Sequence, residues 1–130
     1  MKPESLLLVD DDMAFNFLNR LLIESTGLKC DVEECLDGSA ALKYVTESGK
    51  CPDVILLDIN MPVMDGFEFL EEFEKIADCG KRTKVYMLTS STQDEDRTAS
   101  LKYTCVKGYF DKPLTIEHVN EIVSSFQADK

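Results

Sequence analysis

The sequence lacks any long hydrophobic segment. Its longest uninterrupted apolar runs, such as Leu6 to Val9 and Val54 to Leu57, are four residues long. A helix that spans a bilayer needs about 20 apolar residues, and the core of a signal peptide needs about 7 to 15. We therefore expect neither feature, no membrane partner, and a protein that stays in the cytoplasm where it is made.

Positive charge is also scarce. The chain has 14 Lys and Arg against 25 Asp and Glu, which gives a net charge of −11 at pH 7. Sequence-independent affinity for nucleic acids comes mainly from clustered cations that neutralise phosphates. This composition argues against DNA or RNA as a direct partner.

Cysteine pairing motifs are missing as well. The five cysteines are odd in number and form no C-x-x-C pair; they are Cys30, Cys35, Cys51, Cys79 and Cys105. Neither a disulfide framework nor a zinc site is indicated by this spacing. A reducing cytoplasm is therefore the expected compartment.

No linker, repeat or low-complexity segment divides the 130 residues, a length that fits one compact domain. With 44% hydrophobic residues, such a chain can bury about two thirds of its unfolded surface. We predict a single domain over residues 1–130.

Short apolar runs alternate with helix-length segments along the chain. The runs are continuous, as in strands that are buried on both faces of a parallel sheet. We predict five strands, at Leu6 to Val9, Lys29 to Cys35, Val54 to Leu57, Val85 to Leu88 and Val106 to Phe110. We predict five helices, at Met13 to Ser25, Ser39 to Ser48, Gly66 to Asp78, Gln93 to Tyr103 and Ile116 to Gln127. The alternation predicts a doubly wound α/β sandwich with helices on both faces of the sheet.

Capping residues precede four of the predicted helices. They are the capping boxes Asp65-x-x-Glu68 and Thr92-x-x-Glu95 and the single residues Asp12 and Thr115. Asp12 is thereby explained as a helix cap, whereas Asp10 and Asp11 have no such role.

Polar residues follow the predicted strands at the edge where ligands of open parallel sheets bind. They are Asp10, Asp11 and Asp12 after the first run, Asp58 after the third, Thr89, Ser90 and Ser91 after the fourth, and Asp111, Lys112 and Pro113 after the fifth. Two carboxylates about 4 Å apart repel by about 4 kcal/mol at an effective dielectric constant of about 20. A hard cation relieves that repulsion, and Mg²⁺ suits it because Mg²⁺ binds carboxylates, waters and phosphoryl oxygens. We therefore predict Mg²⁺ as the cofactor.

Asp58 is the candidate nucleophile at this edge. A carboxylate beside Mg²⁺, the ammonium group of Lys112 and the hydroxyl of Thr89 fits a phosphoryl acceptor, because these groups neutralise the charge on three phosphoryl oxygens. A lone Asp after a strand is more often a cap or a turn residue. The prediction therefore depends on the three residues occurring together.

Four segments resemble the receiver domains of two-component response regulators. They are LLVDDD at 7–12, VILLDINMPVMDG at 54–66, MLTS at 87–90 and GYFDKP at 108–113. They occur in the order found in that family, and the resemblance covers nearly the whole chain. It implies a flavodoxin-like fold with strand order 2-1-3-4-5 and a stand-alone regulator of the chemotaxis or phosphorelay kind. With no output domain attached, the signal of such a regulator would leave through protein contacts.

The resemblance also implies roles for individual residues. Asp58 would take a phosphoryl group from a sensor histidine kinase or a histidine phosphotransfer protein. Mg²⁺ would be held by Asp11, Asp58 and the backbone carbonyl of Asn60, and Asp10 would act mainly through metal-bound water. The protein would also catalyse its own dephosphorylation, so it would be a timed switch rather than a conventional enzyme.

A conformational switch is implied as well. The Thr89 hydroxyl would bind a phosphoryl oxygen, Lys112 would pair with the phosphoryl group, and Tyr109 would then turn inward. Partners would read this change on the predicted fourth helix, fifth strand and fifth helix. Asn60 and Ser91 fall at the positions that tune the lifetime of the phosphoryl group in the family.

The predicted first helix has more apolar residues than one core stripe needs. One side is assigned to the core: Phe15, Leu18 and Leu22. The outer flank beside the acidic edge then consists of Met13, Phe17 and Leu21. We expect a kinase helix to dock on this flank; the alternative is a broad core face or a covering loop.

Three other functions compete with this interpretation. A Mg²⁺-dependent phosphatase with an aspartyl nucleophile usually has a second acid two residues later, where this chain has Asn60. A flavin or nucleotide binder needs a hydroxyl- or glycine-rich loop after the first strand, where three aspartates would repel phosphate. A receiver-like scaffold that binds partners without phosphorylation would not need the full set of acids, threonine and lysine. No motif identifies the downstream protein target.

Overall fold

The computed structural model describes residues 2–76, 78–90 and 93–127. Its centre is a five-stranded sheet in the order β2-β1-β3-β4-β5, and every neighbouring pair of strands is parallel. The strands are β1 (Ser5–Val9), β2 (Asp31–Cys35), β3 (Val54–Leu57), β4 (Lys84–Thr89) and β5 (Val106–Asp111). The predicted doubly wound sheet and its strand order are confirmed.

Six helices, rather than the five predicted, connect these strands within the described part of the chain. They are α1 (Met13–Ser25), α2 (Gly38–Ser48), α3 (Gly66–Phe73), α4 (Cys79–Arg82), α5 (Asp94–Ser100) and α6 (Ile116–Gln127). The predicted helix from Gly66 to Asp78 is wrong, because it divides into α3 and α4. None of the helices described is long and apolar enough to cross a bilayer.

The break between α3 and α4 has a local cause. The backbone amides of Lys75 and Ile76 each bond a carbonyl three residues earlier, which tightens the last turn of α3 and ends it. Gly80 then lies inside α4 instead of closing a longer helix. A Cβ atom at Gly80 would lie 3.1 Å from the carbonyl oxygen of Glu74, so a small residue permits this close return of the chain.

The two faces of the sheet have separate hydrophobic cores. Alternate residues of each central strand point to opposite faces, so Leu7 and Val9 of β1 join one cluster while Leu6 and Leu8 join the other. Residues of α2, α3 and α4 cover the first face, and residues of α1 and α6 cover the second. This double burial is the reason that the central strands read as continuous apolar runs.

The core face of α1 differs from the prediction. Leu18, which we assigned to the core, is 60% exposed, whereas Asn16, Asn19 and Ile23 are buried. The Asn16 side-chain amide donates to the carbonyl oxygen of Asp10 at 3.0 Å, and this hydrogen bond to the end of β1 offsets part of the cost of burying a polar side chain. The helix is therefore rotated toward its asparagines.

Most of the predicted helix caps are confirmed. The Asp12 carboxylate accepts from the amide of Phe15, and Asp65 and Glu68 form a reciprocal capping box at the start of α3. The Thr115 hydroxyl accepts from the amide of His118. Thr92 of the other predicted box lies outside the described residues, and α5 begins after Gln93 instead.

A disulfide bond corrects the expectation drawn from the cysteine count. Cys51, in the loop before β3, is bonded to Cys79 at the start of α4. The remaining cysteines, Cys30, Cys35 and Cys105, are free. Spacing along the chain could not indicate this pair, because the two residues are 28 positions apart and meet only when the loops before β3 and β4 pack together.

Candidate functional site

The polar residues predicted to meet at one edge of the sheet do meet there. Asp10 directly follows β1, Asp58 directly follows β3, Thr89 is the last residue of β4, and Lys112 directly follows β5. Because all five strands are parallel, their carboxyl ends lie on the same edge. The fold therefore gathers residues that are up to about 100 positions apart in sequence.

Three carboxylates form the acidic part of the site. Asp10, Asp11 and Asp58 each offer an oxygen atom, and these atoms all lie within 4.8 Å of one another. Asp10 and Asp58 are buried, and Asp11 is exposed. Hard oxygen donors at this spacing, with one side open to solvent, fit a Mg²⁺ ion that retains several waters.

The two buried carboxylates are held in the same way. One oxygen of each accepts a backbone amide: Asp10 Oδ1 accepts from Asp12 at 2.9 Å, and Asp58 Oδ1 accepts from Ile59 at 2.8 Å. The Oδ2 atoms contact Lys112 Nζ, at 2.7 Å for Asp10 and 3.2 Å for Asp58. Each side chain is thus fixed in orientation from both ends.

Burial and ion pairing have opposite effects on the pKa values of Asp10 and Lys112. Burial raises the pKa of Asp10, and the hydrogen bond from Lys112 opposes part of that rise. Burial lowers the pKa of Lys112, but the hydrogen bond to Asp10 and the charge of Asp58 outweigh it, so this pKa lies above its usual value. The ammonium group therefore stays protonated at neutral pH.

Lys112 is positioned by its own backbone. Its amide donates to the carbonyl oxygen of Thr89 at 3.0 Å, which ties the end of β5 to the end of β4. The following Lys112-Pro113 peptide bond is cis. The Lys112 Nζ atom also lies 4.6 Å from the centre of the Phe15 ring, on α1.

The loop after β3 packs tightly against Asp58. Gly66 donates its amide to the Ile59 carbonyl at 2.8 Å, and a Cβ atom at Gly66 would lie 2.5 Å from the Asp58 carbonyl oxygen. Any larger residue at position 66 would therefore displace the backbone of Asp58. Val63, in the same loop, has a φ of 68°, a left-handed conformation that is strained for a β-branched residue.

The predicted switch residues lie on β4 and β5. Thr89 is fully buried beside the acidic edge, and its register partner on β5 is Asp111. Tyr109 is partly buried, and the Arg97 guanidinium of α5 lies 5.9 Å from the centre of its ring. Thr89 and Tyr109 are thus both close to the end of the sheet, on adjacent strands.

The outer flank of α1 is exposed, as predicted. Met13 is 67% exposed, Phe17 is 54% and Leu21 is 44%, and Leu18 adds to the same apolar surface. Asn60 is also exposed, two residues after Asp58. Ser91, predicted to tune phosphoryl lifetime, lies outside the described residues.

Two residues beside the site were not identified from the sequence. Phe15 was assigned to the core alone, and Asn16 was not considered, although they contact Lys112 and the Asp10 backbone respectively. A signal for Asn16 was available, since Asn16, Asn19 and Ile23 repeat at helical spacing. A surface groove of about 820 Å³ lies at the amino edge of β1 and β2, away from these groups.

Comparisons with known proteins identify the family of this chain. Residues 6–124 match the response regulator receiver domain. The chain is 33% identical over 130 residues to the probable methanogenesis regulatory protein FilR2 of Methanothrix harundinacea (strain 6Ac), covering 96% of this chain and 82% of that protein.

Two solved structures are also similar. A two component response regulator from Cytophaga hutchinsonii is 30% identical with a TM-score of 0.90, covering 98% of this chain and 99% of the other. The Mn²⁺-bound form of response regulator Rcp1 is 29% identical with a TM-score of 0.76, covering 97% and 93%. The chain therefore belongs to the response regulator receiver domain family, whose function is to accept a phosphoryl group on an aspartate in the presence of Mg²⁺.

Proposed function

We propose that Asp58 is the phosphoryl acceptor of this protein. The observation that carries the proposal is the position of its carboxylate, which is buried at the carboxyl edge with the Lys112 ammonium group 3.2 Å away. A carboxylate oxygen attacks the phosphorus of a phosphohistidine, a P–O bond forms, the P–N bond breaks, and the imidazole nitrogen leaves with the electron pair and takes up a proton. The product is an aspartyl phosphate, a mixed anhydride.

Lys112 and Thr89 are proposed to act on the transferred group. The Lys112 ammonium group already lies between two acidic side chains, so a small displacement lets it pair with a new phosphoryl oxygen. The Thr89 hydroxyl is proposed to donate to another such oxygen. These contacts are stronger to a dianionic phosphoryl group than to the carboxylate alone, and they therefore bias the conformation of the site.

The proposed Mg²⁺ ligands are Asp10, Asp11, Asp58 and the backbone carbonyl of Asn60. Asp10 is proposed to contribute mainly through metal-bound water. The spacing of the carboxylate oxygens supports this assignment, as does the Mn²⁺-bound Rcp1 structure. When bound, the cation neutralises charge that develops on the phosphoryl oxygens. Without it, the site holds three acids and one lysine within a few ångströms.

The output of the switch is proposed to pass through Tyr109 and the neighbouring α5, β5 and α6 surface to an unidentified protein target. The donor is proposed to be a sensor histidine kinase or a histidine phosphotransfer protein, which docks on Met13, Phe17 and Leu21. We also propose that the protein acts as a stand-alone regulator in the cytoplasm, without binding nucleic acid and without turning over a separate substrate. Its net charge of −11 and its match to most of the FilR2 length support this interpretation.

The experiment is incubation with Mg²⁺ and acetyl phosphate, followed by measurement of intact mass. We expect one added phosphoryl group of about 80 Da in the wild type and none in Asp58→Asn. Asp53→Asn is the matched control, because Asp53 directly precedes the same strand that Asp58 follows and lies at the opposite edge. A persistent adduct in Asp58→Asn would contradict the assignment, and no adduct with any donor would favour the scaffold function.

A further inference from the structure

Lys112 has an uncharged neighbour as well as its two acidic partners. Its Nζ atom lies 4.6 Å from the centre of the Phe15 ring, within the range in which an ammonium group is attracted to an aromatic face. The same atom contacts Asp10 at 2.7 Å and Asp58 at 3.2 Å. Two carboxylates and one ring therefore surround the ammonium group, and the Lys112 side chain is only 21% exposed.

The Phe15 ring is itself held firmly. Its backbone amide donates to the Asp12 carboxylate at 3.1 Å, and the next residue, Asn16, donates its side-chain amide to the Asp10 carbonyl. The ring is partly buried and packs against the core cluster under α1 and α6. The two hydrogen bonds thus fix the start of α1, and core packing holds the ring that this part of the helix carries.

A lysine side chain has four rotatable carbon–carbon bonds and loses much entropy when it is fixed. Its ammonium group behaves as a compact charge that water solvates strongly. A ring face on one side excludes water from that side and leaves the N–H groups directed toward Asp10 and Asp58. The ring therefore favours the conformation that transfer to Asp58 requires.

We propose that Phe15 is a positioning residue, whose ring face holds the Lys112 ammonium group against the Asp10 and Asp58 carboxylates. The inference rests on the proposed function of Asp58 and adds a residue of α1 to it. Phe15 is not proposed to contact the phosphoryl donor or the acceptor carboxylate. It acts on the rate of transfer only through Lys112.

The test compares variants that alter the ring while leaving its shape or its apolar character in place. We expect Phe15→Leu to lower the rate of phosphorylation by acetyl phosphate about fivefold, and Phe15→Tyr to retain most of it. Replacing Phe15 by 3,4,5-trifluorophenylalanine keeps the ring but withdraws charge from its face, and we expect a loss similar to that of Leu. A purely structural role would leave the fluorinated protein as fast as the wild type.

Phe126→Leu is the matched control. Phe126 is a buried ring of α6, and the ammonium group of Lys84 lies 4.5 Å from its centre. Lys84 is the first residue of β4, at the edge of the sheet opposite Asp58. We expect this variant to lose stability without slowing transfer. Equal rates for Phe15→Leu and Phe126→Leu would overturn the proposal.

A second measurement does not depend on phosphorylation. In the wild type, the ε-methylene protons of Lys112 should resonate upfield of those of other lysines, because the ring current of Phe15 shields them. Phe15→Leu should move them to the ordinary position. If the wild type shows the upfield resonance but no phosphoryl adduct, the proposed function fails while the placement of Lys112 stands; an ordinary resonance in the wild type overturns the inference itself.

Discussion

The Nζ atom of Lys112 bridges the Oδ2 atoms of Asp10 and Asp58, so that one ammonium group pairs with two buried carboxylates. Removing it by Lys112→Ala leaves two acids in a poorly solvated place. We expect the free energy of unfolding without divalent cation to fall by about 2 kcal/mol, below the 3–5 kcal/mol typical of fully buried pairs. Chemical unfolding measures this change.

Mg²⁺ should partly replace the missing charge in that variant. The gain in free energy of unfolding on adding Mg²⁺ should therefore be larger for Lys112→Ala than for the wild type. Lys84→Ala is the control, since Lys84 is also partly buried but begins β4, at the opposite edge of the sheet. Its ammonium group donates to the Ser125 carbonyl. Identical Mg²⁺ effects in all three proteins would count against the bridging role.

Asp11 is the exposed member of the acidic group. A ligand that binds only the folded state at ten times its dissociation constant adds about 1.4 kcal/mol to the free energy of unfolding, and we expect this from Mg²⁺ in the wild type. Asp11→Asn should need a much higher Mg²⁺ concentration for the same gain. Asp12→Asn is the control, because it removes the same charge at the adjacent position and keeps a good N-cap. We expect it to gain stability from Mg²⁺ as the wild type does. A wild-type gain in Asp11→Asn would be evidence against the site.

Phe17 lies on the exposed flank of α1. We expect Phe17→Glu to slow transfer from a phosphorylated histidine kinase or phosphotransfer protein about tenfold, because a charge would enter an apolar contact. Transfer from acetyl phosphate should be unchanged. Thr46→Glu places the same charge on the exposed surface of α2 and should affect neither reaction. Slowing with both donors would mean that Phe17 supports the fold rather than docking.

The Cys51–Cys79 bond closes a loop of 28 residues. A crosslink of that span restricts the unfolded chain enough to add about 3.5 kcal/mol. We expect the free energy of unfolding to be higher by about that amount in the oxidised protein than in the reduced protein. Cys51→Ser should abolish this difference. Cys30→Ser should preserve it. The proposed cytoplasmic location predicts that alkylation in fresh lysate finds both residues as thiols, because cytoplasmic thiols are kept reduced.

Tyr103 donates its hydroxyl to Glu71 Oε1 at 2.6 Å, which links the turn after α5 to α3. This hydrogen bond, together with burial, raises the pKa of Tyr103 to about 12. The folded state thus holds the proton more tightly than the unfolded state, so the contribution to stability is complete below pH 10 and is lost between pH 10 and 12. The gap in free energy of unfolding between the wild type and Tyr103→Phe should narrow over that range; parallel curves would show that the bond does not contribute.

The strands and the acidic site were predictable for a physical reason. Strands buried on both faces must be apolar throughout, and parallel strands deliver the residues after them to one edge, so Asp10, Asp58 and Lys112 could be placed together from sequence order. The rotation of α1 was not predictable from apolar residues alone. Its buried face contains Asn16 and Asn19, and the burial of Asn16 depends on a hydrogen bond to the end of β1.

The remaining differences involve contacts between distant segments. The end of α3 depends on a local tightening of the backbone and on the return of Gly80 against Glu74. The Cys51–Cys79 bond depends on the loop before β3 meeting the start of α4. The Phe15 ring contacts Lys112, although the two residues are 97 positions apart in the sequence. Such relations follow from the three-dimensional arrangement and leave no periodic signal in the sequence.

The disulfide and the acceptor stand at opposite ends of one strand. The four residues of β3 extend about 13 Å, with the loop of Cys51 at one end and Asp58 at the other. Oxidation or reduction of the cysteine pair at the amino edge therefore takes place away from phosphoryl transfer at the carboxyl edge. In the reduced protein, where Cys51 is a free thiol, a fluorophore or spin label attached there would leave the acceptor accessible and could report on the whole domain while it cycles.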